Sequence, residues 1–182
     1  KRYKFFRTGL KSENGNFHWK IGRWEKVENV LSMCSYGFHC SKDPYDAFSY
    51  IQGEILAQVE CRGEHLTDEN KECWREQRVV KTWKWTKKDS VKLAIYSAEL
   101  CIKNFEEEYP EDKRPREAIE ATKRWLKNPN KKNVAAAESA ARSATRSAAW
   151  SAARSAESAR SATIKSIQKY FLKLVKNLKE IK

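Results

Sequence analysis

The chain has 182 residues, 40% of them hydrophobic and 34% charged, enough for one medium domain or two small ones with a real core, which excludes an intrinsically disordered chain. No apolar run approaches the ~20 residues that span a bilayer, so no membrane partner is expected. The formal net charge is +13, distributed unevenly: residues 1–90 carry 17 basic and 13 acidic side chains, residues 91–129 carry 8 of each, and residues 130–182 carry 12 against 3. That last excess predicts affinity for polyanions or acidic partners. Lys1, Arg2, Tyr3 and Lys4 lead into no apolar signal segment, so export is not indicated. Cys34, Cys40, Cys61, Cys73 and Cys101 form no CxxC pair, which suits free thiols in a reducing compartment, and a cytoplasmic location is expected.

All six glycines fall at or before Gly63, so the chain changes character there. Strands are predicted over residues 3–6, 17–24, 55–61 and 74–85, each a β-prone run bounded by turn residues. Asp43 and Pro44 start a short helix, with Ala47, Phe48 and Ile51 facing its core. Beyond this region, Asp89 or Ser90 caps a helix over about 90–109, with Val91, Ile95, Ala98, Ile102 and Phe105 on one stripe. Pro110 ends it. A charged hinge leads to Pro115 and a second helix over 115–128, whose buried stripe is Ala118, Ile119, Thr122, Trp125 and Leu126. A third helix is predicted over 133–181, bent near residue 163, because nothing in it breaks a helix. The expected fold class is α+β: a small mixed α/β N-terminal module, residues 1–88, followed by an antiparallel helical C-terminal domain, residues 89–182, with a long Ala/Ser-rich helix.

The third helix carries a repeat. Seven serines from Ser139 to Ser161, each followed by alanine, advance by an average of about 3.7 residues, which keeps them on one side of a nearly straight helix. Before them stand Arg142, Arg146, Trp150, Arg154, Glu157 and Arg160. Arginine alternating with tryptophan on one helix edge suits a phosphate backbone with base stacking, or an acidic protein groove. Lys81, Lys84, Lys87 and Lys88, interleaved with Trp83 and Trp85, repeat that combination at the end of the first module. These residues, with Arg142, Arg146, Trp150, Arg154 and Arg160, form the predicted partner or nucleic-acid surface; on a strand, the two tryptophans share one face and at least one is expected in the core. After Thr163 the pattern changes to Ile164, Ile167, Phe171, Leu174, Leu178 and Ile181, a seam that either folds back on the helical half or pairs with a second copy as a homodimer.

Neither Cys34, His39 and Cys40 nor Cys61, His65 and Cys73 has zinc spacing, so no metal is expected, and no cofactor. An enzymatic alternative rests on His39 and Glu76, on separate strands, serving a nucleotide-handling cleft. The strand–Ser–helix–strand–Glu order resembles ADP-ribosyltransferase-like folds, without an identifiable site arginine. No phosphate-binding loop, GxSxG or HExxH element is present.

Two stretches resemble known families. Cys34, Gly37, Phe38, His39 and Cys40, followed by Asp43, Pro44, Asp46 and Ala47, are similar to an uncharacterised module of phage and mobile-element proteins, covering residues 1–88. Tyr109, Pro110, Asp112, Lys113, Arg114, Pro115, Arg116, Ala118, Ile119 and Trp125, with an Ala-rich helix after them, resemble a helical immunity-protein family, with serine here at many of the expected alanines. Together these resemblances imply a small antagonist protein acting in a bacterial host cell, and the overall build resembles a type II anti-CRISPR protein. That implies a non-enzymatic inhibitor that binds an RNA-guided CRISPR nuclease or its ribonucleoprotein and blocks DNA binding or cleavage. An immunity protein that neutralises a toxin by direct binding is the alternative.

Overall fold

The computed structural model of the chain describes residues 1–13, 17–51, 53–130 and 157–181. These form two compact units, Lys1–Thr86 together with Val175–Lys182, and Lys87–Leu174.

The first unit is built on a long antiparallel hairpin, β4 (Ile55–Asp68) and β5 (Lys71–Lys84), with four shorter strands: β1 (Arg2–Phe6), β2 (Trp24–Lys26), β3 (Phe38–Cys40) and β6 (Glu180–Ile181). β1 lies outside β4, with Phe6 opposite Ile55 and Arg2 opposite Val59. The other edge of β5 is too long for any one partner and is covered in series. β3 pairs at Glu72–Trp74, β2 at Glu76–Arg78 and β6 at Thr82 and Trp83. Covering that edge removes a template for strand-to-strand association. The sheet also curls: Tyr3 and Ser41 exchange backbone hydrogen bonds of 2.8 and 2.9 Å, so the free edge of β1 meets the chain just after β3.

Alternation along β1 sends its two phenylalanines to opposite faces, and each seeds a cluster. Phe6 packs on Trp19, which packs on Phe38, with ring centroids 5.5 and 4.8 Å apart. Ile55, Ala57, Val59 and Val79 complete that core. Phe5 meets Phe48 and Trp85 at 5.3 and 6.0 Å. Phe48 belongs to α1 (Pro44–Tyr50), which Asp43 caps by accepting the Tyr45 N–H at 2.7 Å. The short helix and the cap are as the sequence predicts. Trp85 is buried, whereas Trp83 is half-buried.

The second unit contains α2 (Lys87–Glu108), α3 (Arg114–Lys127) and most of α4 (Glu157–Lys176). Ile102 and Phe105 of α2 are buried, as are Ala118, Ile119 and Trp125 of α3. Phe171 and Leu174 of α4 are buried too, and Tyr170 stacks on Tyr96 at 4.1 Å.

The expected fold class needs correction. The chain is α+β, but its C-terminal half is not purely helical: α4 ends at Lys176, and Glu180 and Ile181 return as β6 to the six-stranded antiparallel sheet. The cause is the open end of β5. The Lys84 N–H donates to the Lys179 carbonyl at 3.1 Å, and the buried Thr82 hydroxyl donates to the Ile181 carbonyl at 2.6 Å. Buried polar groups of this kind must find partners, and the last residues supply them.

Candidate functional site

The curl of the sheet gathers charged and nucleophilic side chains that stand far apart in sequence. Arg2 and Lys4 share the β1 face of Phe6, opposite Val59 and Ala57, and so point inward. The Arg2 guanidinium donates to both carboxylate oxygens of Glu72, at 2.5 and 3.1 Å. The Trp74 indole N–H donates to the same carboxylate at 2.8 Å, and Lys42 Nζ lies 3.5 Å from it. Burial opposes a charge on Glu72, yet the bonds from Arg2 and Trp74 and the Lys42 charge outweigh it and hold the carboxyl below its usual range.

Lys4 forms no ion pair among the described residues. Its ammonium lies over the Trp19 and Phe6 rings, 5.0 and 5.6 Å from their centroids, and burial pushes it down to about 8. Beside it, Cys40 Sγ and Cys61 Sγ are 3.6 Å apart. The Gln77 amide donates to Cys61 Sγ at 3.4 Å, while its Oε1 is buried without a hydrogen-bond partner among the described residues. A hydrogen bond from Cys40, against some desolvation, together with Gln77 and Arg2, holds the Cys61 thiol below its ordinary value. The bond to Cys61 and burial push Cys40 well up. The curl thus holds an ionised carboxylate, an ammonium whose pKa is lowered to about 8 and a close pair of thiols. Sequence reading missed this set; the signal was the alternation of Arg2, Lys4 and Phe6 on one strand.

The predicted enzymatic pair is not brought together. His39 is in register with Cys73, whereas Glu76 is opposite Arg62 and Lys26, three residues along β5, a rise of about 10 Å. Each has its own partner: His39 Nε2 accepts the Cys34 N–H at 2.9 Å, and Glu76 pairs with Arg62 at 2.7 Å. Burial, with Lys4 and Lys71 nearby, pushes His39 down to about 4. Among the described residues, no three His, Cys, Asp or Glu side chains converge as a metal site.

Of the predicted partner surface, Arg142, Arg146, Trp150 and Arg154 lie outside the described residues, and Arg160 falls in the first turn of α4. Lys81 is 3.8 Å from Glu180, Lys84 and Lys88 are exposed, and Lys87 Nζ lies 5.8 Å from the Trp125 ring centroid. The seam is divided: Ile164 is exposed, Phe171 and Leu174 are buried within the chain, Ile167 and Leu178 are half-buried, and Ile181 lies in β6. No described helix is long and apolar enough to cross a membrane.

On the helical unit, ion pairs join α2 to α3: Arg116 meets Glu106 at 2.6 Å, and Lys123 meets Glu99 at 2.8 Å. They leave Leu100, Lys103, Asn104 and Glu107 as an exposed stripe on α2, at successive helical turns.

Residues 1–89 match the model of a family described as a domain of unknown function, DUF7666. Residues 81–165 match the family described as Imm-5 like putative immunity protein. No curated protein and no solved structure matches the chain.

Proposed function

We propose that the chain is an immunity-type protein that neutralises a toxin by binding it, without chemistry of its own, and that the helical unit makes the contact. The observation that carries this reading is the match of residues 81–165 to the Imm-5 like family. The α2 stripe of Leu100, Lys103, Asn104 and Glu107, apolar and mixed in charge, suits a protein surface better than a polyanion.

The test is co-expression of the full chain with toxin domains encoded beside its gene. Rescue of growth, with a stoichiometric complex on gel filtration, supports the reading. Rescue without any complex, or no rescue by any neighbouring toxin, overturns it. Leu100→Arg with Lys103→Glu should abolish rescue while leaving the circular dichroism spectrum unchanged. Rescue that persists in His39→Ala with Glu76→Gln separates this reading from the nucleotide-handling alternative.

The narrower expectation, inhibition of a type II RNA-guided nuclease, has behind it the overall resemblance, the basic side chains of the predicted partner surface and the basic excess of residues 130–182. It differs in salt dependence. Neutralising 6–10 phosphates costs roughly 10³–10⁵ in affinity between about 50 and 200 mM salt, whereas contact through the charge-balanced residues 91–129 should change several-fold at most.

A further inference from the structure

The thiol pair in the curled sheet has no part in binding through the helices. Cys40 stands on β3 and Cys61 on β4, both neighbours of β5, and the curl brings their sulfurs to 3.6 Å. Cys61 is partly exposed and Cys40 is buried. The Gln77 amide donates to Cys61 Sγ, and Arg2 and Lys4 add positive charge to the same space, against Glu72. A thiolate is the reactive form of cysteine, and cationic, hydrogen-bonding, partly open surroundings favour it.

We propose that Cys40 and Cys61 are a peroxide-reactive dithiol, with Cys61 as the attacking sulfur and Cys40 as the resolving one. The Cys61 thiolate attacks one oxygen of hydrogen peroxide. The O–O bond breaks, hydroxide leaves and takes up a proton as water, and Cys61 becomes a sulfenic acid. Cys40 then attacks the Cys61 sulfur: an S–S bond forms, the S–O bond breaks, and hydroxide leaves with the Cys40 proton as a second water. Two thiols supply the two electrons that reduce the peroxide. Closing the gap to the ~2.05 Å of a disulfide asks the two sulfurs to approach by about 1.5 Å. The product staples β3 to β4 across β5, and an external dithiol reverses it.

The other thiols are placed differently. Cys73 donates to the Tyr36 carbonyl at 3.3 Å and burial pushes it up, as it does Cys101. Cys34 is exposed, with Lys71 Nζ at 2.8 Å, and is the competing reactive thiol, so the test uses the full chain carrying Cys34→Ser. The reduced protein is treated with hydrogen peroxide, labelled with N-ethylmaleimide and mapped by non-reducing peptide mass spectrometry. Cys40 and Cys61 should lose their labels together, at least about tenfold faster than Cys73 and Cys101, as one cross-linked peptide that dithiothreitol releases. Dimedone should trap Cys61 in a Cys40→Ser variant and leave Cys40 unlabelled in Cys61→Ser. Labels lost no faster than at Cys101, or oxidation of Cys61 without the cross-link, overturn the proposal. Equal trapping of both sulfurs in the two variants overturns their assigned roles. If either variant fails to fold, the cross-link in the Cys34→Ser chain decides.

Discussion

The stability of the sheet unit should fall as pH drops through the histidine range, because of His39. Burial, then the charges of Lys4 and Lys71, push this imidazole down from 6.5 to about 4 in the folded chain. Between those values the unfolded chain binds a proton that the folded chain refuses, so stability rises with pH and is lost as pH falls. Taken at full weight, the shift costs about 2 kcal/mol between roughly pH 7 and pH 5, at 1.36 kcal/mol per unit. His39 is only half-buried, so solvent screening should reduce this to about 1 kcal/mol. The window above about pH 5 lies clear of ordinary carboxylate titration. The comparison is with His39→Gln, which does not titrate and keeps an acceptor for the Cys34 N–H. Urea unfolding followed by tryptophan fluorescence should show the two proteins diverging as pH falls, the parent losing about 1 kcal/mol more by about pH 5. Parallel curves, or a parent that holds its stability better than the variant in acid, would refute the burial argument.

Lys4→Met should stabilise the chain by about 1 kcal/mol at neutral pH, as judged by urea midpoints, because it removes a half-buried ammonium that desolvation penalises and that has no carboxylate partner among the described residues. Gly53→Ala should cost several kcal/mol by the same measurement, since its Cβ would fall on the Phe6 backbone carbonyl. Gly9→Ala, with nothing within 4 Å, should cost only the ~1 kcal/mol of its left-handed backbone. Deleting residues 177–182 removes β6, whose Ile181 packs on the core and meets Thr82, and should cost about 2–3 kcal/mol. Light scattering on that truncation should also show concentration-dependent association, since the edge of β5 is then open.

Where local pattern and tertiary need agreed, the sequence was readable. Phe5 and Phe6 announced β1, Asp43 and Pro44 announced α1, and the proline-bounded stripes announced α2 and α3. The hairpin proved longer than its apolar runs because residues 62–70 are exposed and so show no buried alternation to read. β3 and β6, of three and two residues, owe their strand form to β5, a partner no local window contains. Leu178 and Ile181 stand three apart, which fits a helical stripe as well as a turn and a strand. The inner site was hidden for a related reason. Arg2 and Lys4 look like solvated cations until the register of β1 against β4 turns them inward, and Cys40 and Cys61 meet only because the sheet curls.

That register also changes what the net charge means. In the sheet unit most arginines are already engaged: Arg2 with Glu72, Arg7 with Glu13, Arg23 with Glu25, Arg62 with Glu76, Arg75 with Glu64 and Arg78 with Glu60. Two of these, Arg62 and Arg78, also flank Trp24, at 4.1 and 4.9 Å from its ring centroid. Exposed pairs of this kind add little stability, but a guanidinium facing a carboxylate offers little to a phosphate without first displacing it. The helical pair repeats the arrangement with Arg114 on Asp112, Arg116 on Glu106 and Lys123 between Glu99 and Glu120. By sequence, the net positive excess is concentrated in residues 130–182, with 12 basic and 3 acidic side chains. A steep salt dependence in partner binding would point to that segment or to exposed lysines such as Lys84 and Lys88, and its absence in a toxin complex would favour contact through the charge-balanced residues 91–129.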